Sequence, residues 1–191
     1  MTSKKASPGT PSAKSSTSSR PSLDGPAPAA DDVQTTGPGG APVVLAAPEG
    51  PISDSEAKNR REIEAAWLNM WHLYETLDKI PPERITSELS RYAYGPALDE
   101  YNEIIERAQN QQLKNTGTVR HRIWWEPPVG SSDVALVIDC LDFSKFGWEN
   151  GAKKTVGKVG PVFDEYEISV FKDQGTWKVS KINISDRKCS F

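Results

Sequence analysis

The sequence predicts an α+β domain, with three N-terminal helices packed in the concave face of a curved antiparallel sheet of about four strands. Three observations predict it. Between Ile63 and Ala108 the apolar residues recur at spacings of three and four, which gathers them on one face of a helix. From Thr118 the apolar period becomes two, the spacing of side chains along one face of a strand. Every Trp, Tyr and Phe lies at or beyond Trp67, so the means to build a core begin there.

Residues 1–52 read as a disordered linker. They hold nine of the fifteen prolines, abundant Ser, Thr, Ala and Gly, and no aromatic residue. Such a stretch buries too little apolar surface to offset an ordering cost of roughly 1–2 kcal/mol per residue. The domain proper is expected over residues 53–191, about 140 residues, enough for a sizeable core.

Ser53 and Glu56 have capping-box spacing and open the first helix. Ile63, Trp67, Met70, Trp71, Tyr74 and Leu77 give it one broad apolar face over residues 54–79, and Pro81 stops it. Pro82 starts a short second helix through Leu89 and Tyr92. After Gly95-Pro96, a third helix over residues 96–112 carries Ala97, Leu98, Tyr101, Ile104, Ile105 and Ala108. Asn115 and Gly117 are expected to end it, because both tolerate left-handed backbone.

The first strand, TVRHRIWWE, sets Val119, His121, Ile123 and Trp125 on one face and Arg120, Arg122 and Trp124 on the other. Pro127, Pro128 and Gly130 make a turn. The next stretch, ALVIDCLDFS, is apolar on both faces and reads as a covered central strand. Residues 145–161 read as a loop. FDEYEISVF and TWKVSKINI form a closing hairpin around the turn KDQG, with Tyr166, Ile168 and Val170 on one face. An extra residue near Ser180-Lys181, a bulge, brings Trp177, Val179, Ile182 and Ile184 to one side.

This layout resembles the nuclear transport factor 2-like superfold, a cone with a long first helix. The resemblance rests on AAWLNMWHLYETLD, on the run ending DCLDFS, and on EYEISVFKDQGTWKVSKINI. It covers about residues 55–187, and its motifs are patterns rather than signatures. The chain is also similar to uncharacterised actinobacterial lipoproteins of that superfold, in which a stalk precedes the cone. It departs from the pattern in leaving little room for the small strand pair that often separates the second and third helices.

In such a sheet Cys140 and Cys189 can meet, tying the C-terminal tail to the sheet in an oxidising compartment. The alternative is two reduced thiols. The superfold includes isomerases, dehydratases and polyketide cyclases that use a buried Asp with a His or Tyr. The catalytic candidates implied are Asp139, His121 and Tyr74. Alternation sets Asp139 and Asp142 on opposite faces, so they do not make a pair. His72 falls off the apolar stripe of its helix. The alternative for Asp139 is a carboxylate that accepts hydrogen bonds from a neighbouring Arg or strand amide.

Trp67, Trp71, Tyr74, Tyr101 and Trp125 are the residues expected to line a ligand pocket, or else to fill the core. Trp124 and Trp148 are the expected exposed partner patch. Neither a metal nor a cofactor is expected. GKVGP at 157–161 lacks the spacing of a phosphate loop, and two cysteines without nearby histidines give no metal spacing. The formal net charge of -3 argues against nucleic acid, and no apolar run is long enough to span a membrane.

The function expected is a non-catalytic module, carried on a flexible stalk, that binds a protein partner or a small apolar ligand. An isomerase-like enzyme and a homodimer formed through the sheet are the alternatives. If Met1 is the true start, the location is cytoplasmic. If an upstream signal was lost, it is extracytoplasmic, as a cell-surface lipoprotein or a secreted protein.

Overall fold

The computed structural model describes residues 28–125, 133–150, 153–156, 163–185 and 189–191; of residues 153–156, 163–169 and 185 it describes the backbone. The first 27 residues of the expected linker, the turn at Pro127–Gly130 and the segment 157–161 lie outside the described residues. So do the side chains of Tyr166 and Ile168.

The chain is α+β. Three helices, α1 (Asp54–Glu75), α2 (Pro82–Leu89) and α3 (Gly95–Asn110), follow two short strands, β1 (Val33–Thr36) and β2 (Pro42–Leu45). Seven strands come after the helices: β3 (Lys114–Gly117), β4 (Arg120–Trp125), β5 (Val134–Asp142), β6 (Phe146–Asn150), β7 (Lys153–Val156), β8 (Phe163–Asp173) and β9 (Thr176–Ser185). The nine strands described form two sheets, of order β1-β2-β4-β5-β8-β9 and β3-β6-β7. The four expected strands are the contiguous antiparallel block β4-β5-β8-β9. The expected bulge is there: Val170 faces Val179 and Ser169 faces Lys181, leaving Ser180 as the extra residue.

Two expectations are corrected. The stretch 145–161 is not simply a loop, because Phe146–Asn150 and Lys153–Val156 form a hairpin that pairs with β3. Gly117 lets that sheet close: its φ is +75°, and a Cβ there would fall 1.7 Å from the Lys145 carbonyl oxygen. Because Asn115 and Gly117 belong to β3, α3 ends earlier, and Gln112 takes the left-handed conformation with φ 52°.

The linker boundary at residue 52 also moves. Within 1–52, β2 runs parallel to β4, with Val43 opposite His121 and Leu45 opposite Ile123. Val43 and Val44 are buried. A four-residue strand needs only a few β-branched side chains when an existing sheet supplies the partner edge. The Pro38–Gly40 turn before it rests on α1, so that a Cβ on Gly39 would meet the His72 ring at 2.5 Å.

The sheet separates two apolar clusters. On its inner face Val119, Ile123, Val137, Leu141 and Val179 pack with Ile63, Trp67, Met70 and Trp71 of α1 and with Tyr101 and Ile105 of α3. On its outer face Trp124, Ile138 and Cys140 pack with Ala46, Cys189 and Phe191. The α1 cap is half of the expected box. Ser53 Oγ accepts from the Glu56 amide at 3.2 Å, while the Glu56 carboxylate is held by Arg60 at 2.6 Å.

Candidate functional site

Strand alternation puts Asp139 on the inner face with Val137 and Leu141, and the long α1 lays Trp67 over it. Asp139 is fully buried, at 0% exposure. Its carboxylate accepts from Trp67 Nε1 at 2.5 Å, from His121 Nδ1 at 2.6 Å and from the Arg122 amide at 3.1 Å. His121 Nε2 is buried and has no hydrogen-bond partner among the described residues.

Asp139 and His121 thus meet, but Tyr74 does not join them. The Trp71 ring stands edge-on to both His121, at 5.9 Å between centroids, and Tyr74, at 5.2 Å. Neither Asp139 nor His121 borders any of the three cavities described below. A general base must reach the proton it removes. This one is enclosed and occupied by three donors, so the arrangement ties α1, β4 and β5 together.

Glu75 lies one helical turn beyond Trp71. It is buried, and its carboxylate accepts from the Val119 amide at 2.6 Å. Burial pushes its pKa up, against that hydrogen bond and the nearby His121. The sequence reading missed it, although Trp67, Trp71 and Glu75 share one four-residue spacing.

The largest of the three cavities, about 430 Å³, opens between the C-terminal half of α1, α3 and the end of β9. Trp71, Tyr74, Tyr101, Ile104, Ile182 and Ile184 supply its apolar wall, with Glu100 and Asn183 also bordering it. Of the five pocket residues expected, Trp71, Tyr74 and Tyr101 come together here. Trp67 is core. Trp125 points elsewhere, donating from its indole to Glu64 at 3.2 Å beneath the Arg60 guanidinium. Burial raises the Tyr74 phenol to about 12, opposed by a hydrogen bond with Trp148, so the hydroxyl stays neutral near pH 7. Ile182 and Ile184 reach this wall through the bulge. Glu100 carried no signal beyond an ordinary exposed helix charge.

A second cavity of about 300 Å³ is bordered by His72, Lys79, Arg84 and Glu88, and a third of about 330 Å³ by Asn69, Tyr92 and Trp177. His72 is half-buried, as its place off the apolar stripe implies.

The expected partner patch is corrected. Trp124 is 5% exposed, beneath the C-terminal tail on the outer face. Trp148 packs against Tyr74 and Phe146 on the inner side. The two indoles serve different clusters and make no common surface. The outer face looked polar in sequence because it carries Arg120 and Arg122. Instead, Arg122 is buried and paired with Asp32 at 3.5 Å, and Arg120 lies over the Phe191 ring at 4.1 Å. Cys140 and Cys189 are joined in a disulfide.

Among the described residues no helix is long and apolar enough to cross a membrane, and no group of three or more His, Cys, Asp or Glu is placed to hold a metal. No family model and no curated protein matches the chain. Among solved structures, the intermembrane-space region of the chloroplast protein ARC6 is similar over 70% of this chain and 98% of its own length. The identity is 13% and the TM-score 0.46, a degree of likeness that carries no argument about function.

Proposed function

We propose that this protein is a non-catalytic recognition module that receives an apolar group between α1, α3 and β9. The observation that carries the reading is the 430 Å³ cavity with its wall of Trp71, Tyr74, Tyr101, Ile104, Ile182 and Ile184. Concave, mainly apolar sites with a few polar groups at the rim are the usual form of a ligand site. The enclosed Asp139–His121 contact supports binding over isomerase-like chemistry, since the buried carboxylate and the cavity are separate. The similarity of the element order to the nuclear transport factor 2-like superfold agrees with a binding role at the open end of a cone. The disulfide favours a non-reducing, extracytoplasmic location, in keeping with a lipoprotein or a secreted protein.

The test is titration with the neutral dye N-phenyl-1-naphthylamine, whose emission rises in apolar surroundings. The full chain should bind it saturably at one site. Ile104→Arg, at a half-buried position on the cavity wall, should abolish the signal while leaving the fold intact by circular dichroism. No enhancement, or equal enhancement in Ile104→Arg, would sink the reading.

A further inference from the structure

The end of β9 combines features that a site for a small molecule alone does not need. Ile182, Asn183 and Ile184 are consecutive, and all border the cavity. Consecutive side chains of a strand point to opposite faces, so the strand meets the cavity edge-on. β9 is also the last strand of its sheet. Its outer edge is engaged at Val179, whose amide donates to the Tyr92 carbonyl at 2.8 Å and whose carbonyl accepts from the Tyr94 amide at 2.8 Å. Beyond that bridge no described residue pairs with this edge. The bulge at Ser180 returns Ile182 and Ile184 to the phase of Val179. Their amides and carbonyls therefore point outward, as those of Val179 do. Ile184 is 67% exposed.

Charge completes the picture. The solvent side of α3, which packs against β9, carries Asp99, Glu100, Glu103 and Glu106, all exposed. Among the described residues none of them is in an ion pair. We propose that an extended peptide adds as a strand to the Ile182–Ile184 edge, placing one apolar side chain in the cavity and a basic side chain beside α3. Main-chain hydrogen bonds to an open edge supply affinity, and alternate side chains supply selectivity. A second copy of the chain fits less well: symmetric pairing of two β9 edges would bring the two acidic runs of α3 together, and like charges across an interface are unfavourable. The proposal rests on the cavity assigned above and names its occupant.

The experiment is selection of a phage-displayed library of random dodecapeptides on the full-length oxidised protein. Selected peptides are then synthesised and titrated by fluorescence polarisation. The expected peptides carry an apolar residue with Lys or Arg nearby. N-methylation of alternate peptide amides should weaken binding about fivefold for each main-chain hydrogen bond removed. Glu100→Lys should weaken it roughly threefold and flatten its salt dependence. Ile184→Pro should abolish binding without lowering the melting temperature, since proline is tolerated where an edge amide faces solvent.

N-methylation probes the ligand and leaves the protein unchanged, so it decides the matter even if a protein variant misfolds. Recovery of no peptide, or of peptides indifferent to N-methylation, overturns strand addition. So does self-association of the chain that Ile184→Pro removes, which would assign the edge to a second copy. Dye binding without peptide binding defeats strand addition alone; absence of both defeats the cavity reading as well.

Discussion

Asp139 shows how little a residue's chemistry says before its neighbours are known. A carboxylate in an apolar run is expensive to bury unless donors meet it, and here three do. Asp139→Ala removes the acceptor shared by α1 and β4 and should cost about 3–5 kcal/mol in urea unfolding. Asp139→Asn keeps one acceptor oxygen and should cost about 1–3 kcal/mol, with dye binding unchanged. A loss of binding at full stability would instead give Asp139 a role in recognition. Glu64 makes a second claim at this scale. Burial raises its carboxyl from 4.5 to about 7, against the Trp125 indole, Arg60 and Arg61. Folded protein therefore holds a proton that unfolded chain has released between those two values. The stabilisation is complete below pH 4.5 and is lost as pH rises through about 7. It amounts to at most about 3 kcal/mol, less what partial exposure screens. Glu75 acts in the same direction, so Glu64→Gln should reduce, without removing, the fall in urea midpoint between pH 5 and 8. An equal fall in both proteins would show that Glu64 is not held as described.

At the scale of elements, long periodic segments were legible in the sequence and short ones were not. α1, α3, β4, β5 and the β8–β9 hairpin announce themselves because many side chains repeat one spacing, and even the bulge shows as a slip in phase. β1, β2, β3, β6 and β7 have four or five residues each, too few for a period to stand out. Gly and Pro around β1 and β2 read as linker because composition does not reveal that a distant sheet edge will accept them. The candidate cavity was half legible for the same reason: its helix residues sit on a periodic stripe, whereas Glu100 and the open edge of β9 depend on how the elements dock. The two readings of the N-terminal region differ in a measurable way. If residues 28–47 were linker, deleting residues 1–47 would leave stability unchanged. The structure expects a loss of about 3–6 kcal/mol, from exposing the faces that Val43 and Val44 cover and from leaving Arg122 buried without Asp32. Deletion of residues 1–27 is the control that leaves β1, β2 and Asp32 in place. An unchanged urea midpoint in the longer deletion would restore the linker reading.

At the scale of the whole molecule, Asp32 from before the helices and Cys189 and Phe191 from after the last strand converge on the outer face of the sheet. From one side Asp32 reaches the buried Arg122. From the other Cys189 is bonded to Cys140, and Phe191 sits under Arg120. The outer cluster of Trp124, Ile138 and Cys140 is too small to hold a tail by burial alone, so a covalent tie has a physical task there. Closing a loop across a sequence separation of 49 restricts the unfolded chain by about 4 kcal/mol in the loop-entropy model. Cys189→Ser should therefore lower stability by roughly that amount, less any relief of the folded state. It should also free the tail and wet Trp124, shifting tryptophan emission to the red before global unfolding. The cavity on the opposite side of the sheet shares no residue with this cluster, so dye binding should survive the substitution at temperatures where the domain stays folded. Unchanged emission with full stability would mean that the tail is held without the bridge. Loss of dye binding in a folded Cys189→Ser protein would mean that the two faces of the sheet are coupled, and the disulfide would then bear on recognition as well as stability.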